Sequence, residues 1–156
     1  MKRISFLVLG LVLALLLPGC GAAEPQPSQG GTLRYDGLYC YIRDFDNNGL
    51  TNNYALRFYE DGTVIHASVE QQKVNGNYFP NRNWFSKDTA YYADLLGSYQ
   101  LDNGKITLTT ADPKGTVDYT GTVLADGLLL NSHSNINGFE LSNCKYVFFP
   151  FDQLPI

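Results

Sequence analysis

The residues that could do chemistry are few: three cysteines, two histidines and one acidic run, Asp44-Phe45-Asp46-Asn47-Asn48-Gly49. The run sets side-chain oxygens at positions one, three and five and a glycine at six, as a calcium loop does. Position twelve is Ala55, where a bidentate carboxylate belongs, and no helix is expected on either side. Asp, Asn and Gly are also the preferred turn residues, so a polar hairpin connection accounts for the same letters. His66 and His133 would need to converge with Cys, Asp, Glu or Ser to form a metal site or a nucleophile and base pair. The hairpin registers given below send both to solvent. No Gly-x-Ser-x-Gly elbow, P-loop or dinucleotide glycine pattern occurs. The expectation is a protein without catalytic residues, bound metal or cofactor.

The first cysteine has a different use. Met1-Lys2-Arg3 is a positive start, and Phe6 to Leu17 is almost wholly apolar, the length of a signal-peptide core and short for a membrane span. Leu17-Pro18-Gly19-Cys20 resembles a bacterial lipobox, with Leu three positions before the cysteine and Gly immediately before it. The resemblance implies cleavage after Gly19 and acylation of Cys20. Each buried methylene contributes about 0.8 kcal/mol, so several chains make a stable anchor. Residues 1–19 are then a lipoprotein signal peptide, and the protein is tethered to a membrane on its extracytoplasmic side. That membrane is the outer membrane or the outer face of the plasma membrane, according to host.

Processing sharpens the charge. The full chain has 11 Lys+Arg against 15 Asp+Glu, and losing Lys2 and Arg3 leaves 9 against 15, a formal charge of −6. An acidic surface without a clustered basic face excludes nucleic acid as a partner. Residues 20–32, small and rich in Pro and Gly, form a flexible tether. Residues 33–156 are one domain's worth of chain.

The elements of that domain read as strands. Aromatic residues make up 13% of the chain, and short turn signals separate alternating runs. Asp61-Gly62, Asn103-Gly104 and Asp126-Gly127 suit two-residue hairpins, whose central residues need positive φ. Around Asn103-Gly104, Leu101 would face Ile106 and Tyr99 would face Leu108. Around Asp61-Gly62, the rule pairs Phe58 with Ile65 and Leu56 with Ala67, leaving Arg57 and His66 outside. Around Asp126-Gly127, it pairs Val123 with Leu130 and Tyr119 with Ser134, leaving His133 outside. Strands are expected near 37–43, 54–60, 63–70, 98–102, 105–110, 116–125, 128–134 and 139–149. Eight consecutive hairpin-linked strands close into an all-β, antiparallel up-and-down barrel, filled or holding one small ligand. Between strands three and four, Ser86 could cap one short helix ending at Gly97, with Tyr91/Leu95 and Tyr92/Leu96 at i, i+4. Trp84 and Phe85 ahead of it would plug or cover one barrel end.

The phrases Gly37-Leu38-Tyr39, Leu56-Arg57-Phe58-Tyr59-Glu60-Asp61-Gly62-Thr63-Val64, Gly97-Ser98-Tyr99, Gly104-Lys105-Ile106, Tyr119-Thr120-Gly121 and Ser134-Asn135-Ile136-Asn137-Gly138 come in an order similar to that of small lipocalin-like domains of secreted bacterial proteins. The likeness spans nearly all of residues 33–156. Tyr39 stands where the usual lipocalin Gly-x-Trp opening has tryptophan. The resemblance implies a calycin-type barrel, in a group where many members have no assigned activity.

Two questions stay open on the sequence. Cys40 and Cys144 lie on the first and last strands, neighbours in a closed meander, so a disulfide would staple the closure; the alternative is two separate buried thiols. Tyr39, Tyr99, Tyr119 and Tyr146, with Ser132 and Ser134, either line a small-molecule pocket or fill the core. The expected function is non-catalytic binding of a small apolar or aromatic ligand near Trp84, Tyr91, Tyr99, Tyr119 and Tyr146, with Tyr39 among the candidate lining residues. An open interior supports that expectation, and an interior packed shut with aromatic rings opposes it. The alternative is an envelope interaction module, such as an inhibitor of a cell-wall hydrolase, reaching a partner through 71–85.

Overall fold

In a computed structural model, residues 30–45, 50–72, 82–88 and 96–154 are described. Eight strands follow one another as β1 (Gly37–Phe45), β2 (Leu50–Phe58), β3 (Thr63–Gln72), β4 (Leu96–Asp102), β5 (Lys105–Asp112), β6 (Gly115–Leu124), β7 (Gly127–Ser134) and β8 (Glu140–Pro150). Each pairs antiparallel with the next, and β8 returns to β1, closing an up-and-down barrel. The closing contacts are short: β1 pairs with β8 from Gly37 to Cys40 and β3 with β4 from Thr63 to Ile65, so β1 and β3 run on past the paired part. The expected helix does not occupy its two ends: Ser86 is coil, and Leu96 and Gly97 are already β4. Residues 89–95, and Tyr91 with them, lie outside the described residues, as does 46–49 of the acidic run.

The three hairpins differ in how their turns set register. Asn103 (φ 49°) and Gly104 (φ 78°) both take positive φ, as a type I′ turn requires, and Leu101 faces Ile106 while Tyr99 faces Leu108. Leu101, two positions from the turn, is nevertheless 45% exposed. At the second hairpin only Gly62 takes positive φ (85°). Gly62 N–H donates to the Tyr59 carbonyl at 3.1 Å and Tyr59 N–H to Thr63 at 2.9 Å, which makes the loop three residues, Glu60 to Gly62. The Asp61 carboxylate accepts from Thr63 N–H at 3.0 Å and steadies it. A loop one residue longer than expected moves the register by one, so Phe58 faces Val64 and Leu56 faces His66. That slip turns every side chain of β3 over. At the third hairpin Leu124 pairs with Gly127, the turn being Ala125-Asp126. Tyr119 therefore faces Ser132, not Ser134, and Val123 faces Leu128, not Leu130. An offset of two changes the pairs but preserves the faces, so Tyr119, Val123, Leu130 and Ser134 all point inward as expected.

Two apolar clusters result. The barrel interior holds Tyr39, Leu56, Phe58, Val64, Ile106, Leu108, Tyr119, Val123, Leu128, Leu130, Cys144 and Tyr146, with Leu33 entering from the N-terminal segment. Outside the sheet, Leu38, Cys40, Ala55 and Ile65 from β1–β3 pack under Phe85 and Leu154. Phe85 thus covers the flank of the barrel and not its end, a correction to the plug expected there. The guanidinium of Arg57 holds the cover down: it donates to the Phe85 carbonyl and lies 4.5 Å from the Tyr59 ring and 4.6 Å from the Phe151 ring. Lys87 pairs with Asp61, tying the same segment to the β2–β3 loop.

The two clusters answer the cysteine question. Cys40 is buried in the outer cluster and Cys144 in the inner one, and both thiols are free. Cys40 stands opposite Val147, three positions from Cys144. Opposite faces of one sheet cannot meet a disulfide's geometry, and the candidate staple is not formed.

Candidate functional site

The interior is packed unevenly. Toward the β2–β3, β4–β5 and β6–β7 turns it is filled with rings. Tyr39 meets Phe58 edge-on at 5.5 Å and Phe148 at 4.9 Å, and Phe58 meets Tyr99 at 5.1 Å. Their hydroxyls are used internally: Tyr39 accepts from Arg34 N–H at 2.7 Å, and Tyr99 donates to the Tyr59 carbonyl at 2.8 Å. Burial pushes the Tyr39 hydroxyl up to about 12, as expected for a phenol that stays protonated in the core. Tyr39 and Tyr99 therefore fill this end of the interior. Trp84 sits in a 3₁₀ turn, Arg82–Trp84, 39% exposed and away from the interior space.

Toward the other end a cavity of about 130 Å³ remains. Tyr54 of β2, His66 of β3, Val117 and Tyr119 of β6, Ser132 and Ser134 of β7, and Leu141 and Tyr146 of β8 line it. Asn137 and Phe139, both exposed, form its rim. Strand alternation brings Val117 with Tyr119 and Ser132 with Ser134 to the same face. A bulge in β8 adds Leu141. Leu130 pairs with Cys144 but Ser132 with Leu141, so β8 carries one extra residue there, with Asn143 at φ 56° and its N–H bound by the Asn131 side chain at 2.8 Å. The extra residue lets Leu141 and Cys144, three apart, both face inward.

The rim is set by the β7–β8 turn. Gly138, at φ 71°, donates to the Ser134 carbonyl at 2.8 Å, and Ser134 N–H donates to the Phe139 carbonyl at 2.9 Å. Phe139 N–H in turn donates to the Asn137 side chain at 3.1 Å, fixing both rim residues relative to Ser134.

His66 is the departure from the sequence reading. It was expected on the solvent face; the one-residue slip in β3 places it inside, its ring 6.3 Å from Tyr54, nearly parallel, and 6.2 Å from Tyr119. The side chain is partly accessible, but its Nε2 is shut away from solvent and has no hydrogen-bond partner. Desolvation holds the imidazole down to about 4 against the opposing Asp112 charge, so the ring is neutral at physiological pH. A neutral imidazole offers one N–H donor and one lone pair. Burial also raises the Tyr119 and Tyr146 hydroxyls well above the ordinary phenol range, so both remain protonated donors. Among the described residues the cavity wall thus carries no charge and offers aromatic faces, hydroxyls, one imidazole and the Asn137 amide at the rim.

Of the candidate ligand residues, Tyr119 and Tyr146 line the cavity, Tyr39, Tyr99 and Trp84 do not, and Tyr91 lies outside the described residues. Tyr54 and His66 were missed. Alternation with Leu56 and Phe58 on β2 could have found Tyr54, and the Glu60-Asp61-Gly62 letters, which suit a three-residue turn as well as a two-residue one, could have found His66. His133 is exposed as expected, its Nδ1 3.0 Å from Glu140. Among the described residues no group of three His, Cys, Asp or Glu is placed to hold a metal ion. Compared with protein-family models, curated proteins and solved structures, the chain has no match.

Proposed function

We propose that this protein is an envelope lipoprotein, anchored through acylated Cys20, whose lipocalin-like barrel binds a small aromatic or apolar molecule without transforming it. The cavity bounded by Tyr54, Tyr119 and Tyr146 carries the reading. Concave, mainly apolar walls with a few placed polar groups are the general form of a small-molecule site. Its volume limits the guest. A dry cavity of about 150 Å³ in another protein holds benzene, so about 130 Å³ fits a single ring inside the barrel, with anything larger extending past Asn137 and Phe139. The described wall residues carry no charge, which favours a neutral guest, since an ion would lose its hydration without a partner. The acidic surface, with its tether, keeps the barrel clear of anionic lipid headgroups.

Native mass spectrometry of the protein purified gently from its own membrane tests the binding reading. The expected spectrum shows a small-molecule adduct, lost on denaturation, that disappears when Tyr119→Trp fills the cavity. A spectrum with acylated polypeptide alone, before and after denaturation, overturns it. The anchor is tested separately by labelling with a radioactive fatty acid: label is expected on the wild type and absent from Cys20→Ser.

A further inference from the structure

The chain enters the barrel at one end, and the cavity opens at the other. Turns of an antiparallel meander alternate between the two ends, so the β6–β7 and β7–β8 turns lie at opposite ends. Gly31 packs on the first of these: a Cβ there would stand 1.8 Å from the Leu124 carbonyl oxygen and 2.8 Å from the Ala125 nitrogen. Leu33, 3% exposed, runs on from it into the interior cluster, and Arg34 N–H donates to the Tyr39 hydroxyl at 2.7 Å. The entering segment thus stops the end that the rings of Tyr39, Phe58 and Tyr99 already fill. The cavity reaches the surface at Asn137 and Phe139 of the β7–β8 turn, the far end.

We infer that the cavity mouth faces away from the membrane, and that its guest is a single-ring compound taken from the aqueous side of the envelope, not a lipid drawn from the bilayer. The inference rests on the anchor and binding readings above. Gly30 lies ten residues beyond Cys20. A coil of that length spans about 17 Å root mean square and about 35 Å at full stretch. β6 runs ten residues from Gly115 to Leu124, which is about 30 Å of strand, or about 23 Å along the axis at the usual barrel tilt. With the stopped end toward the bilayer, Gly30 sits within the ordinary reach of such a coil. With the mouth toward the bilayer, the chain would have to climb the whole barrel, beyond its coil span and over most of its full extension. A lipid tail rising from the bilayer would therefore meet the stopped end. Volume argues the same way, because about 130 Å³ is close to the space that one benzene fills and does not enclose an acyl chain many carbons long.

Ala125 in the β6–β7 turn and Lys114 in the β5–β6 turn are exposed and stand at opposite ends, while Cys40 and Cys144 are buried. Ala125→Cys and Lys114→Cys, each acylated and placed in phosphatidylethanolamine–phosphatidylglycerol vesicles, are labelled briefly with a donor dye, and energy transfer to an acceptor lipid is measured. Transfer is expected to be stronger from position 125 than from position 114. Equal transfer, or stronger transfer from 114, overturns the orientation and leaves the cavity as a binding site. The source of the guest is read with radioactive phenol added in water and, separately, radioactive palmitate carried in the same vesicles. Phenol should bind membrane-free Cys20→Ser and the acylated wild type with Kd values within about twofold of each other, free phenol being measured by equilibrium dialysis. No palmitate should follow Cys20→Ser when the vesicles are floated away. Palmitate that follows the protein and is displaced by phenol makes the bilayer the source and overturns the inference. Phenol bound by neither protein overturns the binding reading and the inference with it, and wild type that washes off the vesicles overturns the anchor and the orientation built on it.

Discussion

Leu56 and His66 stand directly opposite one another across β2 and β3, both facing the barrel interior. That pairing follows from a loop one residue longer than a type I′ hairpin, and it converts a histidine expected on the surface into the one nitrogen heterocycle of the cavity wall.

His66→Phe is predicted to raise stability by about 1 kcal/mol at pH 7.5, because an unpartnered buried nitrogen is removed while the ring contacts are kept. The pH dependence carries its own sign. The folded imidazole takes a proton only near 4, whereas the unfolded one does so near 6.5. As pH falls through 6.5 the unfolded chain is protonated first, so the wild type loses stability between 6.5 and about 4 and levels off below. The interval corresponds to at most about 3 kcal/mol. Tyr54 and Tyr119 pack against the ring, and the Asp112 charge opposes the desolvation without outweighing it. Urea unfolding at a series of pH values should show the advantage of His66→Phe widening as pH drops from 6.5 to 4; a constant difference between the two proteins would contradict a neutral, desolvated His66.

The two barrel thiols should remain unpaired under air. Cys40 is buried in the outer cluster and burial pushes its thiol up to about 12, so little reactive thiolate exists at pH 8. Brief alkylation of the native protein should therefore modify neither Cys40 nor Cys144. After unfolding in guanidinium without reductant both should react, seen as two added groups by mass spectrometry. No addition until a reductant is supplied would show that the two are bonded.

The cover over β1–β3 hangs on Arg57 and Phe85. Phe85 is fully buried, and Phe85→Ala should cost about 3 kcal/mol in urea unfolding. Trp84→Ala, one position away at a side chain 39% exposed, should cost under about 0.5 kcal/mol. Arg57→Lys keeps the charge but loses the planar group stacked between Tyr59 and Phe151, and lysine does not reproduce it. Trypsin should then cut at Arg82 or Lys87 several-fold faster than in the wild type. Equal cleavage rates would mean that the segment is held by other contacts.

The filled end depends on a hydrogen bond from Arg34 N–H to Tyr39. Tyr39→Phe leaves that N–H without its acceptor and should cost about 1 kcal/mol. Exchange of the Arg34 amide should accelerate, while the amides of Ser132 and Ser134 at the far end keep their wild-type rates. Faster exchange at both ends would show that the two halves of the interior open together.

Strand number, closure and the inward set on β5 to β7 were legible because their alternation is clean: Ile106 and Leu108 against Lys105 and Thr107 leave one reading of the face. β3 was not legible for the opposite reason. Val64 and Ile65 are adjacent and both apolar, so either register buries a branched side chain, and hydrophobicity does not choose between them. Both are in fact fully buried, since β3 is covered on its two faces, by the interior and by Phe85. The covering segment and the β8 bulge are long-range features that periodicity does not carry. Tyr119 and Tyr146 were recoverable from strand parity, and so was Tyr54, which alternates with Leu56 and Phe58 on β2; His66 required the true length of the β2–β3 loop.

The central claim, that the unfilled end of this barrel is a binding site, is tested most directly by a crystal structure of the protein grown with phenol in excess. The account predicts a planar ring in the cavity beside Tyr119 and Tyr146. A cavity closed by collapsed side chains, or phenol bound only outside the barrel at saturating concentration, would contradict it.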